Sequence, residues 1–476
     1  MKSAKSRFLV TTAEESSWPS KDSSILFLGE WCRLYKRKEV WEELDAELMT
    51  YHWDDRQKLD TDFHYLTKLH EILLSELFQN LNKIHAVNYS VRYWRVLVGP
   101  WLGYFTQILF DRWSSIKQAE NEYDLNGTII LQGNEEELVP NDTSSFNAML
   151  LEDTWNHHIY SLILQNSTEI KCIERERERI IKERSGFQTP TKNSTLKSKI
   201  RKFISENLKL LQGSEDAFFI TTYLPLVEEI KFNVRLKQFP QFREHVQPVN
   251  VKVDSNQRQW ILSGKSLIEF ESLVRTIIPL QLPKIYLEGY STLIRQIKLL
   301  NWPKRPKFIF TSNSHWTSDI FKAWSAEKVE DGSPLFIGQH GGNYGIGRWS
   351  FLENHEIAIS NAFISWGWSD NNKPNVRPVG MLNNKKAMNI DHGTQTHILL
   401  VEHINPRQSY HLFSSAMSRQ WLDYLNDQFR FVESLSQSLR NALIVRLHPQ
   451  DYGWAPFQRW KDRFPSLRID QGVSDI

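Results

Sequence analysis

Phe336-Ile337-Gly338-Gln339-His340-Gly341-Gly342-Asn343-Tyr344-Gly345-Ile346-Gly347 decides the reading of the fold. A short apolar run hands over to a Gln-His pair and a cluster of glycines. This is how a buried parallel strand passes into a loop that approaches a ligand closely, because glycine admits φ > 0 and leaves room against the backbone. Upstream, Lys307-Phe308-Ile309-Phe310 reads as a strand, and Thr311-Ser312-Asn313-Ser314-His315 supplies N-cap candidates. Residues 316–328 then space Ile320, Phe321, Ala323 and Trp324 as a helix does. Asp331-Gly332 is a turn, and residues 334–338 form the next strand. The result is a β-α-β unit with two loops at the carboxyl ends of its strands, where open α/β sheets bind ligands.

The same strand–loop–helix grammar extends in both directions, so the predicted class is α/β. Ser24-Ile25-Leu26-Phe27-Leu28 is read as the first strand, preceded by a flexible N-terminus over residues 1–22. Its end, Gly29-Glu30-Trp31-Cys32, places polar groups at another strand terminus. Residues 58–87 carry Phe63, Leu66, Leu69, Leu73, Leu77, Leu81 and Ile84 at helical steps. A second apolar helix over 97–113 is expected to be interrupted at Gly99-Pro100. The run 171–184, alternating Glu and Arg, reads as a solvated helix laced with side-chain pairs, and 186–197 as a loop. Residues 217–223 and 362–368 each hold a strand, and Arg377-Pro378-Val379-Gly380 closes this half.

His397-Ile398-Leu399-Leu400-Val401 opens a further α/β unit, with strands also expected at 441–447 and 467–469. A doubly wound domain needs more strands than this to cover its helices. The division that follows is an N-terminal α/β domain over 23–385 with helical insertions, a polar linker over 386–395, and an incomplete Rossmann-like domain over 396–476.

Composition narrows the function. Fifty-eight basic and 56 acidic residues leave a formal charge of +2, which gives no argument for a nucleic-acid partner. Two cysteines among 476 residues rule out a disulfide scaffold and fit a reducing compartment such as the cytoplasm. Phe8-Leu9-Val10 is too short for a signal segment, and no long uncharged apolar run exists. The unusual count is aromatic, with 18 Trp, 15 Tyr and 26 Phe. Trp stacks on flat amphipathic ligands and also donates a hydrogen bond.

Four constellations could carry chemistry. In Gln339-His340-Gly341-Gly342, His340 titrates near working pH and suits general-base catalysis, while the glycines and Tyr344 lie beside it. In Arg446-Leu447-His448-Pro449, strand alternation puts Arg446 and His448 on one side, where a guanidinium fork and an imidazole would meet phosphate. Asn313 and His315 open a helix, whose N-terminus attracts anions. His52-Trp53-Asp54-Asp55-Arg56 and Arg92-Tyr93-Trp94 read either as a metal site or as a buried ion-pair network linking Asp54 or Asp55 to Arg92. No Walker motif, dinucleotide fingerprint, Gly-x-Ser-x-Gly elbow or kinase set is present. No zinc-type spacing is present either.

Gly29-Glu30-Trp31, the His52 and Arg92 stretches, Gly99-Pro100-Trp101-Leu102, Asp111-Arg112-Trp113, the loop 338–345 and Arg446-Leu447-His448-Pro449-Gln450-Asp451-Tyr452-Gly453-Trp454 together resemble the transferases of bacterial O-antigen and surface-polysaccharide gene clusters. More distantly, Gln-His-Gly after one strand and Arg-x-His-Pro after another resemble capsule Kdo transferases and the glycerophosphotransferases of teichoic-acid synthesis. The resemblance implies a GT-B arrangement, two Rossmann-like domains facing a cleft. It implies a nucleotide-sugar co-substrate, no bound metal or other cofactor, and a lipid-linked saccharide acceptor reached by peripheral association at the inner membrane face. His340 would be catalytic. Gln339, Gly341, Gly342, Tyr344, Asn313, His315, Glu30 and Trp31 would serve the acceptor, and Arg446 and His448 the donor phosphate. Family members continue past residue 476, which implies that part of the donor domain is missing from this chain. A phosphotransferase using CDP-alditols and a non-catalytic saccharide-binding protein are the alternative readings.

Overall fold

The computed structural model describes residues 5–177, 213–241, 246–382 and 397–473. Three parallel sheets organise it. The first contains β1 (Arg7–Val10), β2 (Ile25–Phe27), β3 (Ala46–Leu48), β4 (Leu125–Gln132) and β5 (Cys172–Glu176), in the order β3-β2-β1-β4-β5. The second contains β6 (Phe218–Ile220), β7 (Ile309–Thr311), β8 (Leu335–Gly338), β9 (Ala362–Ser365) and β10 (Val376–Pro378), in simple sequential order. The third is smaller: β11 (Ile398–Val401), β12 (Leu443–Arg446) and β13 (Arg468–Asp470). Every pairing is parallel. The span 23–385 thus holds strands of two sheets, and a single hydrophobic core runs through both. The third sheet packs around its own centre of Trp421, Trp454 and Trp460.

Two long helices, Arg56–His85 and Val91–Glu122, form the spine between the first two sheets. Asp55 caps the first through the N–H groups of Gln57 and Lys58, and Ala86 closes it in the left-handed conformation. The second is buried along most of its length. It does not break at Pro100, contrary to the sequence expectation. Proline removes one helical hydrogen bond, but the helix continues through it with buried residues on both sides. Gly99 and Gly103 let His355 and Phe351 of the helix Phe351–Ile359 approach that backbone directly.

Other expectations change with the sheets. The N-terminus is not loose up to residue 22, because β1 lies between β2 and β4, with Leu9 and Val10 buried. The charged run from 171 is not helical at its start. Cys172–Glu176 is an edge strand on β4 whose Glu and Arg side chains face solvent. Backbone pairing to a long neighbour overrides the helix-like charge pattern there. The loop 186–197 and the linker 386–395 lie outside the described residues. No buried network joins Asp54 or Asp55 to Arg92. Asp54 pairs with Arg419 at 2.8 Å, and Arg92 donates to the Ile359 carbonyl and Asn361.

The segment after β11 reaches out of its own unit. Leu412 and Met417 are buried in the large core, the Leu412 N–H donates to Gln107 Oε1 at 2.8 Å, and Ser350 bridges Phe413. Arg407 donates to Asp153 at 2.7 Å and to the Trp31 carbonyl. Among the described residues, no helix is long and apolar enough to cross a membrane.

Candidate functional site

In a doubly wound sheet the ligand crevice opens where strand order reverses, which in the first sheet is between β1 and β4. That crevice is filled by the protein itself. Trp31 is buried and donates from Nε1 to the Thr11 carbonyl at 3.0 Å, and Trp18 donates likewise to Thr12 at 3.0 Å. Glu30 turns to Arg33. Glu30 and Trp31 therefore belong to a plugged sheet end, and neither lines the cleft described next.

That cleft, of about 350 Å³, lies where the loop after β8 meets the segment after β11. One wall carries His340, Gly341, Asn343 and Tyr344. The other carries His403, Asn405, Tyr410 and Tyr452, with Tyr104 and Phe351 also lining it. The strand-end logic of the sequence holds for His340, which follows β8 directly. Gly341 and Gly342 have no close neighbours apart from the Tyr344 ring and leave the space above His340 open. Gln339 is different. It is buried, its Nε2 donates to the Gly341 carbonyl at 2.7 Å, and its Oε1 accepts from the Trp366 N–H and Trp368 Nε1 at 2.9 and 2.8 Å. Its hydrogen-bonding capacity shapes the loop and is not offered to the cleft.

Behind His340 sits Glu356, fully buried on the helix Phe351–Ile359. Its Oε1 accepts from the Tyr344 hydroxyl at 2.8 Å, bonds His315 Nε2 at 2.9 Å, and lies 3.9 Å from His340 Nδ1. The Tyr344 hydroxyl is also 3.3 Å from His340 Nε2. His340 donates to the Ser312 backbone as well. Burial pushes the Glu356 carboxyl up to about 8 and holds His315 down at about 3. Burial also lowers His340 below its ordinary value, against the opposing pull of Glu356. His315 is thus a neutral buried support rather than a ligand-facing group. Asn313 donates from Nδ2 at 2.8 Å to the hydroxyl of Tyr223, whose ring lies parallel to His340 with centroids 6.4 Å apart.

The two donor-side residues have different surroundings. Arg446 Nη1 holds Asp470 at 2.6 Å. His448 is exposed and lines a neighbouring cavity of about 450 Å³ with Lys36, Asp451 and Gln458. Its ring stacks on Tyr452, centroids 5.7 Å apart, so it touches the main cleft through that residue. Burial lowers His403, with His448 adding a like-charge effect, which places the two imidazoles in one neighbourhood. Sequence reasoning passed over Glu356, His403 and Tyr452. His403 follows β11 as His340 follows β8, and Glu353-Asn354-His355-Glu356 is a polar cluster on a short helix. Those were the available signals.

Among the described residues no cluster of three His, Cys, Asp or Glu side chains is arranged to hold a metal ion. A family model described as LIC12162 family transferase matches residues 7–476, nearly the whole chain. No curated protein and no solved structure matches.

Proposed function

Because this chain belongs to the LIC12162 family of transferases, we propose that it moves a sugar from a nucleotide-activated donor to a lipid-linked saccharide. The setting is the assembly of a surface polysaccharide, O-antigen or capsule, at the inner membrane face. The second and third sheets act as the two walls of a GT-B cleft. The observation that carries this reading is His340 at the end of β8, open to a cleft of about 350 Å³ and backed by a buried carboxyl. As the acceptor hydroxyl oxygen bonds the anomeric carbon, its proton passes to His340. The bond from that carbon to the nucleotide's phosphate oxygen breaks, and its electron pair leaves with the nucleotide. Positive groups preorganised at the leaving phosphate lower the barrier. His448 serves there, with Arg446 fixed behind it by Asp470. Tyr223, Asn313, Gly341 and Gly342 shape the acceptor side. Tyr104, Tyr410 and Tyr452 offer faces for a ring.

The test is a panel of nucleotide sugars and CDP-alditols with lipid-linked saccharide acceptors, read as free nucleotide by chromatography. Sugar-dependent release of UDP, GDP or CMP, abolished by His340→Ala with the fold intact, is the expected result. CMP release from a CDP-alditol would replace the proposal with phosphotransfer. Saccharide binding with no nucleotide affinity would refute both.

A further inference from the structure

Glu356 has more contacts than packing requires, and one of its oxygens has none. Oε1 takes three approaches, from Tyr344, His315 and His340. Oε2 has no hydrogen-bond partner among the described residues, although the side chain is fully buried. A buried carboxyl retained with half its capacity unused calls for an explanation beyond structure. Its surroundings give one. Tyr344 bridges Glu356 and His340, so three groups from the β8 loop and one helix form a chain that ends at the cleft.

We infer that Glu356 is the positioning residue of His340: it holds the Tyr344 hydroxyl against the imidazole and, as a carboxylate, balances the imidazolium that forms when His340 takes the acceptor proton. This rests on the assignment of His340 as the base. The proton moves from the acceptor hydroxyl to a ring nitrogen of His340 while the new C–O bond forms, and Glu356 remains ionised throughout the step. An opposite charge within about 4–6 Å favours a protonated imidazole, and the 3.9 Å separation meets that condition. The groups that face Glu356 are His315 from the short helix Ser314–Thr317, Tyr344 and His340 from the loop, Tyr104 from the long helix, and Glu353 from its own helix, with His355 its chain neighbour. His315 and His355 are held neutral by burial. Glu353 is the only other carboxylate in this set, and it opposes ionisation of Glu356. The working state of the pair is therefore reached as pH rises toward about 8.

Two measurements test this. In the full chain with labelled histidine, His340→Ala identifies the His340 ring signal. That signal should show its own titration below 6.5 and a second inflection near 8 from Glu356. Glu356→Gln keeps size and can keep both hydrogen bonds, yet should erase the upper inflection. In the transfer assay, Glu356→Gln should lose about 10- to 100-fold in kcat with little change in acceptor KM, and should lose the limb of the pH profile near 8. A purely structural Glu356 gives a single inflection unaffected by Glu356→Gln and a pH profile that overlays the wild type; either result overturns the inference. Failure of the parent reading looks different. There, His340→Ala itself retains transfer, whatever Glu356→Gln does.

Discussion

Gly103→Ala sets two effects of known sign against each other at one atom. Gly103 is inside the helix Val91–Glu122, where Ala is intrinsically better than Gly by about 1 kcal/mol. A Cβ there would lie 1.9 Å from Phe351 Cζ and 2.3 Å from both Cε atoms. Moving from 1.9 Å to the 3.4 Å where ordinary contact begins requires a shift of about 1.5 Å. The ring meets Tyr104 and His70 edge-on at 5.5 and 5.0 Å, and His355 lies 5.8 Å away, so it can give way only toward the cleft that it lines. Either the ring turns into that cleft or the helix Phe351–Ile359 shifts. Overpacking of this kind costs about 1–3 kcal/mol; offset by the helix-propensity gain of about 1 kcal/mol, the net effect is a loss of about 0–2 kcal/mol. With an m-value of about 3 kcal/mol/M, the middle of that range lowers the urea midpoint by about 0.3 M. The assay is urea unfolding followed by tryptophan fluorescence, with Gly342→Ala as control. Nothing lies within 4 Å of a Cβ at Gly342, so its midpoint should match the wild type. A Gly103→Ala midpoint above wild type refutes the reasoning, because it would mean that overpacking costs less than the propensity gain. A helix shift would displace Glu356 from His340, so in that case transfer at low temperature, where the fold is intact, should fall in parallel.

Trp31→Ala should cost about 3–5 kcal/mol in unfolding free energy, as expected for a buried Trp, while leaving saccharide affinity of the folded fraction unchanged; lost affinity at full stability would make it a ligand contact after all. Glu402 is buried beside Trp460, and burial raises its carboxyl from 4.5 to about 7. The folded state therefore holds the proton more tightly than the unfolded one, and this group's contribution to stability is lost as pH rises from about 4.5 through 7. Glu402→Gln should flatten thermal stability across that window, and an unchanged slope would remove Glu402 as its source. Of the two cysteines, Cys172 is half-buried and Cys32 fully buried with its thiol pushed far up. A thiol reagent should label Cys172 in the native protein and Cys32 only after unfolding, which mass spectrometry would read directly.

The central β-α-β unit was legible because strands buried on both faces read as continuous apolar runs, and β7 and β8 do so. His340 followed from position alone, at the end of such a run. β1 was missed because four residues carry too little pattern to separate a strand from an apolar patch. β5 was missed because an edge strand with solvent-facing side chains shows charge where buried strands show apolar residues. The surroundings of Gln339 and Trp31 were not legible for a common reason. Both are polar-tipped groups at strand ends, and only the fold shows that their polar atoms are spent on neighbouring backbone or indole groups. Glu356 was out of reach for another reason. Its partners, Tyr344 and His315, are 12 and 41 residues away, brought together by a helix and a strand that have no local signal of meeting.

The reach of Leu412 into the large core bears on how substrates enter. A hinge motion wide enough to part the walls would draw this side chain and its Gln107 hydrogen bond out of that core. Withdrawing a buried Leu costs about 2 kcal/mol, which restricts such an open form to a few per cent of molecules. The walls are thereby riveted at one end. Exchange of a small donor then has to proceed by side-chain rearrangement at the cleft and not by a swing of whole sheets. Solution scattering profiles should then be the same with and without nucleotide.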